Sequence, residues 1–182
     1  MLYFLFFILF LILSLLFLFF FYQIYTLFLQ PGAVYYPTTD SSVKEMLKIS
    51  QLTSKDILID LGSGDGRILI AAARLGARAI GYEINPFLVY RSRRLIKQLK
   101  LEKLVSVKWK SFWKADFNQA SIITVYLFPH LMKRLQKTLE KKLKHPVRVV
   151  CNDYPFPGLT PVKKFKNIYL YNFNSSIALR KK

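Results

Sequence analysis

Among its 182 residues the chain has one cysteine, Cys151, and two histidines, His130 and His145. A single thiol excludes an intrachain disulfide and any cysteine-rich metal site, and two imidazoles do not make a metal cluster, so no metal is expected. Charge is missing altogether from the first 39 residues. All 28 Lys+Arg and all 10 Asp+Glu lie from Asp40 onward. A secretory signal wants basic residues at its start, a shorter apolar core and a small-residue cleavage site. The N-terminus lacks Lys and Arg, and Gln23-Ile24-Tyr25-Thr26 offers no such site.

What stands there is Leu, Phe, Ile and Tyr from Leu2 to Tyr22, interrupted by Ser14 alone. A helix of that length spans the roughly 30 Å hydrocarbon core of a bilayer, so a transmembrane anchor is expected. Basic residues occur only on its C-terminal side, from Lys44, which places the remainder in the cytoplasm. The formal charge is +18. Beside a bilayer, anionic lipid headgroups are the least demanding partner for such a surface. Nucleic acid is second, and no RNA-recognition motif supports it.

Gln30-Pro31-Gly32 breaks the apolar helix, and Tyr35-Tyr36-Pro37-Thr38 reads as an extended connector. Strands then alternate with helices. Apolar runs predict strands at Asp56–Leu61, Ala79–Glu83, Leu104–Trp109, Ile122–Leu127 and Val147–Cys151. Helices are expected at Arg67–Leu75, Pro86–Lys100 and Pro129–Leu143, two of them opened by a favourable proline. Ile168–Phe173 and Ser176–Leu179 around Asn174-Ser175 suggest a closing hairpin. The fold class is α/β: a doubly wound, Rossmann-like parallel sheet with an antiparallel C-terminal hairpin, preceded by one transmembrane helix. The about 140 residues after the anchor suffice for one such core.

Asp60-Leu61-Gly62-Ser63-Gly64-Asp65-Gly66-Arg67 falls at a strand-to-helix junction, where this fold binds ligands. Alternating glycines allow close backbone approach, and the helix start offers free N–H groups. The spacing is G-x-G-x-G, whereas the dinucleotide fingerprint is G-x-G-x-x-G. The second strand ends in Glu83, whose two oxygens suit the two hydroxyls of a ribose and would repel a 2′-phosphate. Acid, glycine loop and second acid fit S-adenosylmethionine better than NAD.

With GYEINPFLV at 81–89, SFWKADF at 111–117, YLFP at 126–129 and YPFPG at 154–158, the loop resembles the single-pass membrane lysine methyltransferases of class I. That family includes the enzyme acting on the ATP synthase c-subunit and its bacterial relatives. The resemblance covers roughly Tyr35 to Gly158 and matches the apolar N-terminal helix. It divides the chain into an anchor (1–29), a connector with a pre-domain helix (30–50) and a methyltransferase domain (51–182). It implies S-adenosyl-L-methionine as cofactor and a protein lysine as acceptor. Asp60, Gly62, Gly64 and Asp65 would hold the methionyl part and Glu83 the ribose, with Ser63, Gly66, Asn85, Ser111 and Phe112 completing the site. Tyr35, Pro37 and Thr38 match an aromatic-x-Pro-Thr element near the cofactor. Phe128 and Pro129 face the methyl group, so Phe128, Pro129 and Tyr35 are the catalytic candidates. Relatives often carry an acid after the third strand for the adenine amino group, where Lys110-Ser111 stands here; Asp116 is a possible substitute.

Several residues read more simply. Trp113 is as good a core aromatic as an adenine platform, and His130 a helix-start residue. Asp153, past the fifth strand, is a turn former or a ligand for a cationic substrate. Tyr35, Phe128, Tyr154 and Phe156 are candidates to line an apolar channel that lowers a lysine's pKa. Acceptors in RNA, lipid or a small molecule are the alternative, and a non-catalytic membrane tether a third. The Asn/Asp-Pro-Pro-Tyr type motif for base amines is absent, since the chain reads Leu127-Phe128-Pro129-His130.

Overall fold

The computed structural model describes residues 2–28 and 36–173. Two compact units result, Met1–Val34 and Tyr35–Lys182. In the first, helix α1 (Leu2–Phe28) carries no charged residue. Its stretch Tyr3–Ile24 is long and apolar enough to cross a membrane, and none of it is buried against protein.

The second unit opens with α2 (Asp40–Ile49), whose N-cap Thr39 accepts a hydrogen bond from the Ser42 N–H. Val43, Met46, Leu47 and Ile49 are buried, so this helix is part of the core. Then follow β1 (Ile57–Leu61), α3 (Arg67–Arg74), β2 (Arg78–Glu83), α4 (Pro86–Gln98), β3 (Val105–Trp109), β4 (Ile122–Val125), α5 (Pro129–Lys142), β5 (Val147–Asn152), β6 (Lys163–Phe165) and β7 (Ile168–Phe173). The sheet order is β3-β2-β1-β4-β5-β7-β6, with β7 antiparallel to both neighbours. β1 and β4 are buried along nearly their whole length because helices cover both faces, which is why they read as unbroken apolar runs.

The sheet closes with the expected antiparallel C-terminal hairpin. Ile168–Phe173 pairs with the preceding Lys163–Phe165 through a turn at Lys166-Asn167, with Lys166 in the left-handed region (φ 50°). Ser176–Leu179 lies outside the described residues.

The chain steps outward from β1 through β2 to β3 and then returns to β4 on the other side of β1, so the switch point, where such sheets bind ligands, lies at the C-terminal ends of β1 and β4. β1 carries a carboxylate near each end. Asp56, just before the strand, accepts from Thr53, Ser121 and Arg148. Burial opposes its charge, but those donors outweigh it and hold its carboxyl below the usual range. That end is a structural tie. Asp60, at the other end, is placed quite differently.

Candidate active site

The loop after β1 places Gly62, Gly64 and Gly66 at φ values of 87°, 53° and 83°, a region costly to residues with a Cβ. Gly62 and Ser63 both donate to the Tyr82 carbonyl, at 2.9 and 3.0 Å, which folds the loop over the end of β2. A Cβ built on Gly62 meets nothing within 4 Å, so this exposed backbone borders open space. Gly66 stands at the N-cap of α3 and offers no side-chain cap; Asp65 instead accepts from the Arg67 N–H at 3.3 Å.

Glu83 is buried and already engaged. Its Oε2 accepts from the Gly64 N–H at 2.9 Å, and its Oε1 from the Ile84 and Asn85 N–H groups, each at 2.8 Å. A carboxylate has about four acceptor positions, so capacity for a ribose hydroxyl remains, but holding the loop is a second duty of this residue. Asp60 is 4 % exposed and accepts from the Thr124 hydroxyl at 2.8 Å. Burial, and then the nearby charges of Glu83 and Asp65, outweigh that bond and push its pKa up to about 7. A strongly perturbed acid at the ligand-facing end of the sheet, with no compensating cation beside it among the described residues, is a candidate functional group.

Asp65 grips Arg67 with both oxygens, at 3.0 and 2.8 Å, while another guanidinium nitrogen of Arg67 donates to the Thr38 carbonyl at 2.6 Å. The segment around Thr38 is thereby tied to the glycine loop. Ser63 turns toward protein: a Cβ on Gly81 would meet its Oγ at 2.4 Å. That Oγ is buried with no hydrogen-bond partner. Asn85 caps α4, its side-chain oxygen accepting from Phe87 and Leu88. Ser111 precedes the short turn Phe112–Lys114, and Phe112 is buried.

Asp116 accepts through its Oδ1 from the Asn118 N–H at 3.0 Å, and its own N–H donates to the Tyr82 hydroxyl at 3.2 Å. Trp113 packs tilted against Phe112, with ring centroids 4.7 Å apart, and carries Arg134 4.2 Å above its ring. Phe128 precedes α5, exposed, its ring stacked on His130, and Pro129 is the first helical residue. Phe156 is 2 % exposed and packs on Tyr171 and Phe173, so it belongs to the core and lines no channel. Tyr35 lies outside the described residues. Among the described residues no three His, Cys, Asp or Glu side chains form a group that could hold a metal ion.

Two aromatics escape a reading of the sequence. Trp109, paired with Glu83 across β2 and β3, is exposed and donates to the Ile84 carbonyl at 3.0 Å. Tyr126 follows β4 directly; in the sequence it reads as strand interior because the apolar run continues to Leu127.

This strand order, with a glycine loop and an acid at the end of each adjoining strand, defines a class I methyltransferase. The model of the ANTKMT methyltransferase domain matches residues 60–163, and the chain belongs to that family. The human lysine N-methyltransferase of the ATP synthase c-subunit is 36 % identical over 127 residues, covering 70 % of this chain and 54 % of the human protein. A protein-lysine N-methyltransferase of Saccharolobus islandicus is 32 % identical over 151 residues, covering 78 % of this chain and 94 % of the relative. A Salinibacter ruber protein described as an RNA methyltransferase, solved with S-adenosyl-L-homocysteine, matches with a TM-score of 0.71 at 34 % identity, covering 76 % and 93 % of the two chains. The chain spans about half the length of the vertebrate relatives it matches. Family and solved relative identify the cofactor as S-adenosyl-L-methionine, and the open glycine cradle and the buried, uncompensated Asp60 fit a molecule that carries a sulfonium and an ammonium group.

Proposed function

We propose that this protein is a membrane-anchored, S-adenosylmethionine-dependent protein-lysine methyltransferase. The observation that carries this reading is the protein-lysine N-methyltransferase matched over 94 % of its length at 32 % identity. A second support is local. The segment after β4 offers Tyr126, Leu127, Phe128 and Pro129, with no amide or carboxylate to grip the planar amino group of a base. That weighs against RNA as acceptor, the alternative raised by the Salinibacter relative.

In this reading Asp60 would hold the cationic groups of the cofactor and Glu83 would accept from its ribose, while the N–H groups of Gly62, Ser63 and Gly64, taken by the Tyr82 carbonyl and Glu83, shape the loop around the methionyl part. Bound there, the cofactor supplies an electrophilic methyl group on a sulfonium sulfur. The chain's own contribution is to hold the acceptor amine in line and keep water out, which can supply much of the acceleration. Phe128 and Pro129, at the start of α5 after β4, would frame the mouth through which a lysine enters. The amine must lose its proton before attack, which a partly apolar surround favours.

Tyr3–Ile24 anchors the protein in one pass, with the basic domain on the cytoplasmic side, where the cofactor is made. Lys133, Lys137 and Lys141 recur on the exposed face of α5 and favour proximity to anionic headgroups.

Incubating the full-length protein in membranes with methyl-labelled cofactor tests the proposal. Label is expected in protein, recoverable as methylated lysine; label confined to RNA or lipid overturns the lysine reading. Extraction of the protein by alkaline carbonate overturns the anchor.

A further inference from the structure

Three elements converge on Tyr126. Leu61 pairs with Val125 across β1 and β4, so Tyr126 stands level with the start of the glycine loop, one strand away. Val125 pairs with Cys151 across β4 and β5, which places Tyr126 beside the Asn152–Asp153 turn on its other side. Tyr36 brings its ring edge-on to that of Tyr126, with centroids 6.0 Å apart, from the segment that Arg67 ties to Asp65 through Thr38.

The turn at Asp153 is unusual. Tyr154 N–H donates to the Asn152 carbonyl at 2.8 Å across a single residue, and Asp153 sits at a φ of 61° while its own N–H donates to the Asn167 carbonyl at 2.7 Å. A three-residue turn with a positive central φ is rare and strained. Such strain persists where the surroundings impose it, and it clusters at functional sites. The Asp153 carboxylate shares a hydrogen bond with the Tyr126 hydroxyl. Burial, hydrogen bonding to Asp153 and the neighbouring Tyr36 and Tyr154 push the Tyr126 pKa far up, so this phenol stays a neutral donor to the carboxylate.

The geometry points to Tyr126 and Asp153, flanked by the rings of Tyr36 and Tyr154, as the site that receives the cationic side chain of the acceptor beside the glycine loop. This rests on the lysine reading above. A lysine arrives as an ammonium ion. Tyrosine faces attract such a cation, and a half-buried carboxylate pairs with it at its most solvent-shielded point. With its hydrogen committed to Asp153, the Tyr126 oxygen keeps lone pairs for an N–H of the incoming amine. Tyr126 and Asp153 thus set acceptor affinity and aim, while the loop and Glu83 serve the cofactor.

The test uses full-length wild type, Tyr126→Phe and Asp153→Asn in detergent micelles. Each is titrated with S-adenosylhomocysteine, then given methyl-labelled cofactor and graded amounts of membrane protein from source cells lacking this protein. Phenylalanine removes only the hydroxyl, and asparagine keeps the shape and tolerates a positive φ. Melting temperatures and S-adenosylhomocysteine affinities should match wild type within about twofold. The KM for acceptor should rise about tenfold or more in Asp153→Asn, as expected for loss of a charged partner, with a smaller change in kcat. Wild-type KM in both variants overturns the inference and leaves the lysine reading intact. Equal loss of S-adenosylhomocysteine affinity and turnover also overturns it, by assigning the pair to the cofactor. If wild type itself places no label in lysine, the lysine reading fails and this inference with it.

Discussion

The Gly64 N–H donates to Oε2 of Glu83 across 19 residues of sequence, at 2.9 Å, and so fastens the middle of the glycine loop to the end of the neighbouring strand. With Ile84 and Asn85 on its other oxygen, Glu83 gathers three backbone donors. An acid expected to serve the ribose alone is also the clasp that shapes the loop.

Glu83→Ala should therefore cost stability as well as cofactor binding. Orphaning a buried donor costs about 1–3 kcal/mol; with Ile84 and Asn85 only half-buried, the total should be about 3 kcal/mol. Thermal melts with and without S-adenosylhomocysteine measure both: the apo midpoint should drop by several degrees, and the ligand-induced rise should vanish. An unchanged apo midpoint means the three bonds carry no weight.

Asp60 predicts a pH dependence. Its folded pKa, about 7, lies above the ordinary aspartate value of 3.8. Between those values the folded state holds a proton that the unfolded state has released. This group's contribution is thus fully present below about pH 4 and is lost as pH rises through 7. The cofactor's cations favour the ionised form, so affinity for S-adenosylmethionine should increase from pH 6 to pH 8, with proton release on binding. Calorimetry at pH 6.5 in two buffers of different ionisation enthalpy detects that release. Asp60→Asn should abolish it.

Arg67 bridges Asp65 and Thr38 by a forked contact that a lysine cannot reproduce. Arg67→Lys should weaken S-adenosylhomocysteine binding about tenfold, since charged hydrogen bonds are lost. It should also make the chain near Thr38 more sensitive to protease. Limited proteolysis and titration check both outcomes.

Gly81 has no room for a methyl group. A Cβ there would lie 2.4 Å from the Ser63 Oγ and 2.6 Å from Leu69 Cδ1. Gly81→Ala should destabilise the domain by about 1–3 kcal/mol through overpacking and push the loop out of place. Denaturant unfolding gives the energy, and lost S-adenosylhomocysteine binding reports the displaced loop.

The central sheet is legible in the sequence because its buried strands are unbroken apolar runs, and the loop because its glycines alternate. The edge is not. Lys163-Lys164-Phe165 has two cations in three exposed residues, so nothing apolar announces a strand. Helix α2 falls with the connector in the sequence because only its packing makes it core. The clasp at Glu83 is hidden because its partners are backbone N–H groups, which have no sequence signature. Tyr126 is hidden by two residues of strand length: β4 ends at Val125, and that boundary alone turns a core tyrosine into one at the switch point.

The most direct test is peptide mass spectrometry of membrane proteins from source cells that lack this protein, compared with cells carrying wild type or Asp60→Asn,Glu83→Gln. The account predicts at least one membrane-protein lysine that is methylated with wild type and unmethylated both in the absence of the protein and with the cofactor-site variant. Identical lysine methylation in all three, with differences confined to RNA or lipid, would contradict it.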